Sequence, residues 1–184
     1  MIIRENPVNP ENPRPYLEKQ EAALSKRNWA GKRGEGYVVV QFGLLGLIAV
    51  APFVSRPSAP WPEPWHSIGL VTGLSLMGVG LLLALAGVWS LGDNITAVPH
   101  PKENANMVEH GAYRLVRHPI YSGIILGAFG WGLFMHSGLT LALALLLFLL
   151  FDAKSRREEQ WLAEKYTNYA DYQKRIRKLI PFVY

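Results

Sequence analysis

The chain has 184 residues, enough for one domain, and is 49% apolar against 18% charged. It contains no cysteine, which excludes disulfides, thiol nucleophiles and cysteine-based metal sites, and no metal site is expected. A net charge of +5 would suit nucleic acid, but the basic residues flank apolar runs; lipid headgroups and membrane orientation account for them, and no nucleic-acid partner is expected.

Residues 1–36 read as a polar cytosolic tail rather than a secretory signal, which would place an apolar run there. Asn6-Pro7, Asn9-Pro10 and Asn12-Pro13 are turn formers. Tyr16 to Trp29 is compatible with a short amphipathic helix on a membrane surface. The glycine-rich, basic Gly31–Gly36 lacks the spacing and the preceding strand of a phosphate loop, and is expected to be a hinge.

The membrane part, residues 37–184, starts with the uncharged run Tyr37–Val54, 18 residues and nearly enough to cross a bilayer core. A turn with Trp61 and Trp65 at interfacial depth leads to a second span over about 68–91. Its glycines at 69, 73, 78, 80 and 87 permit close helix approach. Residues 92–117 form a polar loop of 26 residues, long enough to be either a binding loop or a surface connector. Pro119–Phe151 is then free of charge for 33 residues, with one weak break at His136-Ser137-Gly138. A single helix of that length would measure about 50 Å, so a hairpin with arms near 119–135 and 138–153 is expected. Gly123 and Gly127 form a small-xxx-small pair on the first arm. Beyond Asp152 the chain is polar and helical in pattern, with Leu162, Tyr166, Tyr169, Tyr172 and Ile176 on one face. The fold expected is an all-α integral membrane protein with about four transmembrane helices and a cytosolic amphipathic C-terminal helix.

Orientation follows from the basic residues. The tail holds seven, the first turn one, the central loop three, the segment after Asp152 eight, and the His136 turn none. Four spans with both termini cytosolic put the strongly basic segments on one side. The start of one arm and the exit of the next then meet at that surface, bringing Arg117-His118-Pro119-Ile120-Tyr121 close to Glu158-Glu159. Singly, these residues read as headgroup anchors, an aromatic belt or a solvated helix face. Together at the head of a bundle they need partners or a ligand.

The pattern Gly111-x-Tyr113-x3-Arg117-His118-Pro119-x-Tyr121-x-Gly123, followed by Glu158-Glu159-x2-Leu162 and Tyr169-x2-Tyr172, resembles the isoprenylcysteine carboxyl methyltransferase family, with much of it shared by membrane phospholipid N-methyltransferases. The resemblance covers roughly Leu91 to Pro181. It implies a membrane enzyme that binds S-adenosylmethionine at the cytosolic face and methylates a lipophilic or prenylated acceptor drawn from the membrane lipids. It implies that Tyr113, His118, Pro119, Tyr121 and Gly123 line the cofactor pocket, that Glu159 with Glu158 binds the cofactor's polar groups, and that Arg117 pairs with an acid or a substrate carboxylate, making Arg117 and Glu158 the candidate catalytic pair. Where the family often has arginine four residues before the Glu pair, this chain has Lys154, which keeps the charge and loses the bidentate fork. Two other classes fit the pattern less well: a membrane reductase of the sterol-reductase type, for which the chain is short, and a non-enzymatic membrane assembly protein.

Overall fold

The computed structural model describes residues 34–55, 61–96, 98, 100, 106–181, 183 and 184. Residues 1–33 of the expected tail, with its Tyr16–Trp29 stretch, lie outside them, whereas Glu35 and Gly36, assigned to the tail and its hinge, belong to the first helix. Among the described residues there are five α-helices: α1 (Glu35–Val54), α2 (Trp65–Leu91), α3 (Pro119–Phe134), α4 (Gly138–Lys165) and α5 (Tyr169–Arg175). No strand occurs among the described residues. Helices α1, α2 and α4 are long and apolar enough to cross a membrane, and α3 is a shorter apolar helix of 16 residues. The chain is an all-α membrane protein.

Each helix starts and stops where local chemistry dictates. Gly34, at φ 84°, takes the left-handed conformation that precedes α1. Pro119 opens α3, where the missing N–H has no helical partner to lose. The break between α3 and α4 is a tight corner: His136 is left-handed at φ 51°, and Ser137 Oγ caps α4 by accepting from Thr140 N at 3.2 Å. Beyond Phe151 no breaker intervenes, so α4 runs on without interruption to Lys165, 28 residues and about 42 Å. The polar segment after Asp152 is therefore the continuation of the span. The amphipathic face read through Ile176 is broken at Tyr166, where α4 ends in extended backbone, and resumes in the seven-residue α5.

α2 and α3 pack along their whole length, with glycines on both sides of the seam. A Cβ on Gly73 would lie 2.6 Å from Phe134 N, and one on Gly80 2.5 Å from Gly123 O, so no other residue fits at these crossings. A Cβ on Gly78 or Gly127 would meet nothing within 4 Å, although the Gly127 backbone N lies 3.0 Å from where a Cβ on Gly80 would be. α4 packs against both α3 and α1, around a core of Ile125, Ala128, Ala144, Leu147 and Phe151. At one end of the bundle the two interhelical turns meet: Ser55 Oγ lies 3.1 Å from Ser137 Oγ, and the His66 and His136 rings stack at 4.5 Å. At the other end the polar residues gather.

The chain also returns on itself. Residues after α5 run beside the entry to α3 in a short parallel bridge between Val116 and Arg177. Arg117 N donates to Arg177 O at 2.8 Å and His118 N to Lys178 O at 3.2 Å. Ser122 Oγ donates to Leu179 O at 2.6 Å. Asp152 on α4 holds the same segment, accepting from Lys178 Nζ and, at 2.7 Å, from the Tyr184 hydroxyl.

Candidate functional site

The polar end of the bundle encloses a cavity of about 280 Å³. Its walls come from all five α-helices, α2 contributing only its last residue, Leu91, ahead of the turn beyond it. Tyr113, Tyr166, Tyr169 and Tyr172 form an aromatic side; Asn94, Thr96 and Asn106 border it from the central loop. Ile120 and Ile124 carry the wall along α3 toward the apolar part of the bundle, where Gln41 and Lys154 lie. Described residues from both ends of the 92–117 stretch thus form a wall of the cavity.

Of the residues singled out in the sequence, Tyr113, Arg117, His118, Tyr121 and Glu158 line this cavity. Glu158 presents its carboxylate to it. The Tyr121 hydroxyl donates to Glu158 Oε2 at 2.8 Å and is its only hydrogen-bond donor among the described residues, so the group keeps open acceptor positions. Tyr121 is itself fixed by stacking on Phe151 at 4.7 Å and on His118 at 5.4 Å.

Glu159, the next residue, points the other way and does not line the cavity. Its side chain is 11% exposed, against 25% for Glu158. Arg117 Nε donates to its Oε1 at 2.7 Å and Arg117 Nη2 to its Oε2 at 3.2 Å. Gln173 Nε2 donates to Oε2 at 3.0 Å, and His118 Nε2 lies 3.0 Å from Oε1. A carboxylate accepts, so His118 donates from Nε2, and its other ring nitrogen is directed toward Glu158 Oε2 at 3.8 Å. Arg117 is equally committed. Its Nη1 donates to Gln173 O at 3.1 Å and to Ile176 O, so its guanidinium joins α3, α4 and the C-terminal return. The expectation placed Glu159 against a cofactor and Arg117 against an acid or a substrate carboxylate. In the structure Arg117 pairs with an acid, Glu159, and the donors and acceptors of the two residues are turned on one another.

Pro119 and Gly123 also stand off the cavity wall. A Cβ on Gly123 would lie 2.8 Å from Ala84 Cβ, and closer still to Gly80 O; Pro119 packs where Gly87 makes room. Both belong to the α2–α3 seam, because the residues at and four after a helix start that face α2 cannot also face α4.

Burial raises the hydroxyls of Tyr113, Tyr169 and Tyr172 above their ordinary value, with Glu158 adding to the shift at Tyr113 and Glu159 at Tyr169. They remain neutral donors with aromatic faces. The Tyr172 hydroxyl spends its proton on Tyr113 O at 2.7 Å, which ties α5 to the short 3₁₀ turn Gly111–Arg114.

Sequence reasoning missed Gln41 and Gln173. Gln173 left no signal, since a glutamine on a polar helix is unremarkable by pattern. Gln41 did: it is the one polar residue between Val38 and Val54, and a polar group inside a span marks a site. Among the described residues no group of three or more His, Asp or Glu is placed to hold a metal ion.

The fold and cavity define a class: an integral membrane bundle whose polar head carries a tyrosine- and carboxylate-lined pocket continuous with an apolar wall. The chain belongs to the phospholipid methyltransferase family, which matches residues 68–169, more than half of it. It is 30% identical over 115 residues to a probable protein-S-isoprenylcysteine O-methyltransferase of Oryza sativa, covering 60% of each chain. It is 31% identical over 122 residues to the cobalt-zinc-cadmium resistance protein CzcN of Cupriavidus metallidurans, covering 66% of this chain and 53% of that one. Protein-S-isoprenylcysteine O-methyltransferase A of Arabidopsis thaliana is 27% identical over 115 residues, covering 60% of this chain and 58% of the relative. These alignments therefore span less than two thirds of the curated relatives.

Proposed function

We propose that the protein transfers a methyl group from S-adenosylmethionine to a lipophilic acceptor, at a site on the cytosolic face formed within residues 37–184, with both termini on that face. The observation that carries the reading is the Glu158 carboxylate, hydrogen-bonded among the described residues by Tyr121 alone, inside a tyrosine-walled cavity that continues into apolar surface. Family membership and the names of the isoprenylcysteine methyltransferase relatives support it.

The residues present fit the cofactor. S-adenosylmethionine has an ammonium and ribose hydroxyls that need acceptors, a carboxylate that needs donors, and an adenine and a sulfonium that suit aromatic faces. Glu158 offers the acceptor, the amides of Asn94 and Asn106 offer donors, and Tyr113, Tyr166, Tyr169 and Tyr172 offer the rings. Bound there, the cofactor would supply an electrophilic methyl group. The chain's own part is alignment and exclusion of water. His118, locked by Glu159 and stacked on Tyr121, keeps the Glu158 side of the cavity rigid. Arg117, at the wall, and Glu159, behind it, act as positioning residues.

The decisive experiment incubates the purified protein in nanodiscs with methyl-labelled S-adenosylmethionine and a total membrane-lipid extract. Label is expected in a lipid-soluble product. Absence of cofactor binding by folded protein, with saturable binding of NADPH instead, would overturn the reading in favour of a reductase.

A further inference from the structure

The strip that returns after α5 has two sides. Its inner side holds the site: Arg177 O and Lys178 O accept from the backbone of Arg117 and His118, and Ile176 O accepts from the Arg117 guanidinium. Its outer side is exposed and carries Arg177, Ile180 and Val183. The bridge between Val116 and Arg177 sets it beside Arg114 and Leu115, which are exposed as well. Arg114 and Arg177 differ from the other exposed lysines and arginines among the described residues. Arg156 is paired with Asp152, Lys174 with Asp171 and Arg175 with Glu109. The guanidinium groups of Arg114 and Arg177 have no acid or hydrogen-bond acceptor among the described residues.

The depth of this patch is fixed by its neighbours. Ala112 N donates to Ser90 Oγ at 3.3 Å, so the 3₁₀ turn Gly111–Arg114 sits beside the last turn of α2. The residue before that serine, Trp89, is 89% exposed, and an exposed tryptophan at the end of a span lies at headgroup level. On the other side, Leu179 O accepts from Ser122 Oγ in the first turn of α3, where the apolar span begins. Leu115, Ile180 and Val183 can then reach the acyl boundary while the guanidinium groups stay among the headgroups. A guanidinium at that depth matches a phosphate through its fork of donors. Two such groups without an acid favour a lipid of net negative charge over one whose phosphate is balanced by an amine.

We propose that Arg114 and Arg177, with Leu115, Ile180 and Val183, form a binding surface for anionic phospholipid at the polar head, and that its occupation tightens the cavity on the opposite side of the strip. The coupling follows from the bridge. Arg177 lies beside residues 114–116 only while the strip is docked. An anionic surface therefore binds the docked arrangement better than the undocked one and shifts the chain toward it. Docking also gives Arg117 and His118 their backbone partners and seats α5, whose Tyr169 and Tyr172 line the cavity. The effect on a cavity ligand rests on the methyltransferase reading; the lipid surface itself does not.

The full chain is reconstituted in nanodiscs of phosphatidylcholine alone and of equal parts phosphatidylcholine and phosphatidylglycerol. Melting temperature without cofactor and S-adenosylmethionine affinity are read in both. The anionic discs are expected to raise the melting temperature and to tighten S-adenosylmethionine binding about fivefold, the lower end of ordinary coupling between sites. Both gains should shrink with added salt. Arg114→Gln combined with Arg177→Gln is expected to abolish both gains, while its melting temperature and affinity in neutral discs match the wild type and certify its fold. Lys174→Gln removes a paired surface charge from α5 and should leave the gains intact. No gain in the wild type, an equal gain in the double variant, or the same loss of gain in Lys174→Gln would overturn the proposal. So would a gain in melting temperature with measurable but unchanged cofactor binding. Absence of S-adenosylmethionine binding in every disc, with an arginine-dependent gain in melting temperature, would instead remove the methyltransferase reading and leave the lipid surface standing.

Discussion

Glu158 and Glu159 are neighbours about 100° apart around one helix, and that rotation separates two jobs. Glu158 faces the cavity with spare acceptor positions; Glu159 is saturated by Arg117, His118 and Gln173. Glu158→Gln is expected to lower S-adenosylmethionine affinity at least tenfold with little change in melting temperature, by calorimetry and thermal unfolding in detergent. Glu159→Ala leaves Arg117 and His118 without their carboxylate and is expected to destabilise the fold by about 3–5 kcal/mol, read as a lowered melting temperature. Comparable stability of the two variants would contradict this division. The sequence pointed to the pair and to Arg117-His118 as one constellation, and the structure does bring them together. Which glutamate faces inward was not legible, because it depends on the rotation of α4 against α3, a packing property with no local signature. Gln173 was illegible because a glutamine on a polar helix is unremarkable by pattern.

Among the elements, the hairpin of α3 and α4 was readable from one small break in a long apolar run. The corner works because Ser137 both caps α4 and meets Ser55. Ser137→Ala is expected to cost about 1 kcal/mol of stability by thermal unfolding. The α2–α3 seam was readable as glycine content but not as register: four of the five α2 glycines are buried, while Gly78 is not. Gly80→Val should therefore prevent close approach and abolish folded protein, whereas Gly78→Val should be tolerated; fluorescence-detected gel filtration distinguishes the two. The unbroken passage of α4 beyond the apolar run was hidden by composition, since the change from Leu-rich to charged sequence looks like an element boundary while helix propensity runs straight through it.

For the whole molecule, the polar head is held by neutral tyrosines. Tyr113, Tyr169 and Tyr172 are harder to ionise folded than unfolded, chiefly through burial. A group whose folded pKa is raised binds its proton more firmly in the native state, so its contribution is complete below the ordinary value of 10.0 and is lost as pH rises past it. Unfolding by alkali is expected to begin above about pH 10, and Tyr172→Phe should flatten that decline in a melting-temperature series against pH. The membrane class, the helical fold and the location of the site at one polar head were all legible, because they follow from apolar runs and charge placement. The contribution of α1 to the cavity was not, since a lone glutamine in a span names no partner until the bundle is assembled.

The pairing of residues 176–179 with 116–118 sets an order of events during synthesis. Every helix of the bundle precedes Ile176 in the chain, so the membrane part is made and inserted before its last support exists. Arg117 must wait for Gln173 and Ile176, and Glu159 for Gln173, so that until these are made the Arg117 and His118 segment has only Glu159 of these partners. Maturation of the pocket is thus a late event, separable from insertion. A chain stopped after Lys165 should reach the membrane with its spans in place yet fail to retain a ligand, which makes the final stretch the point at which an inserted protein becomes a competent one.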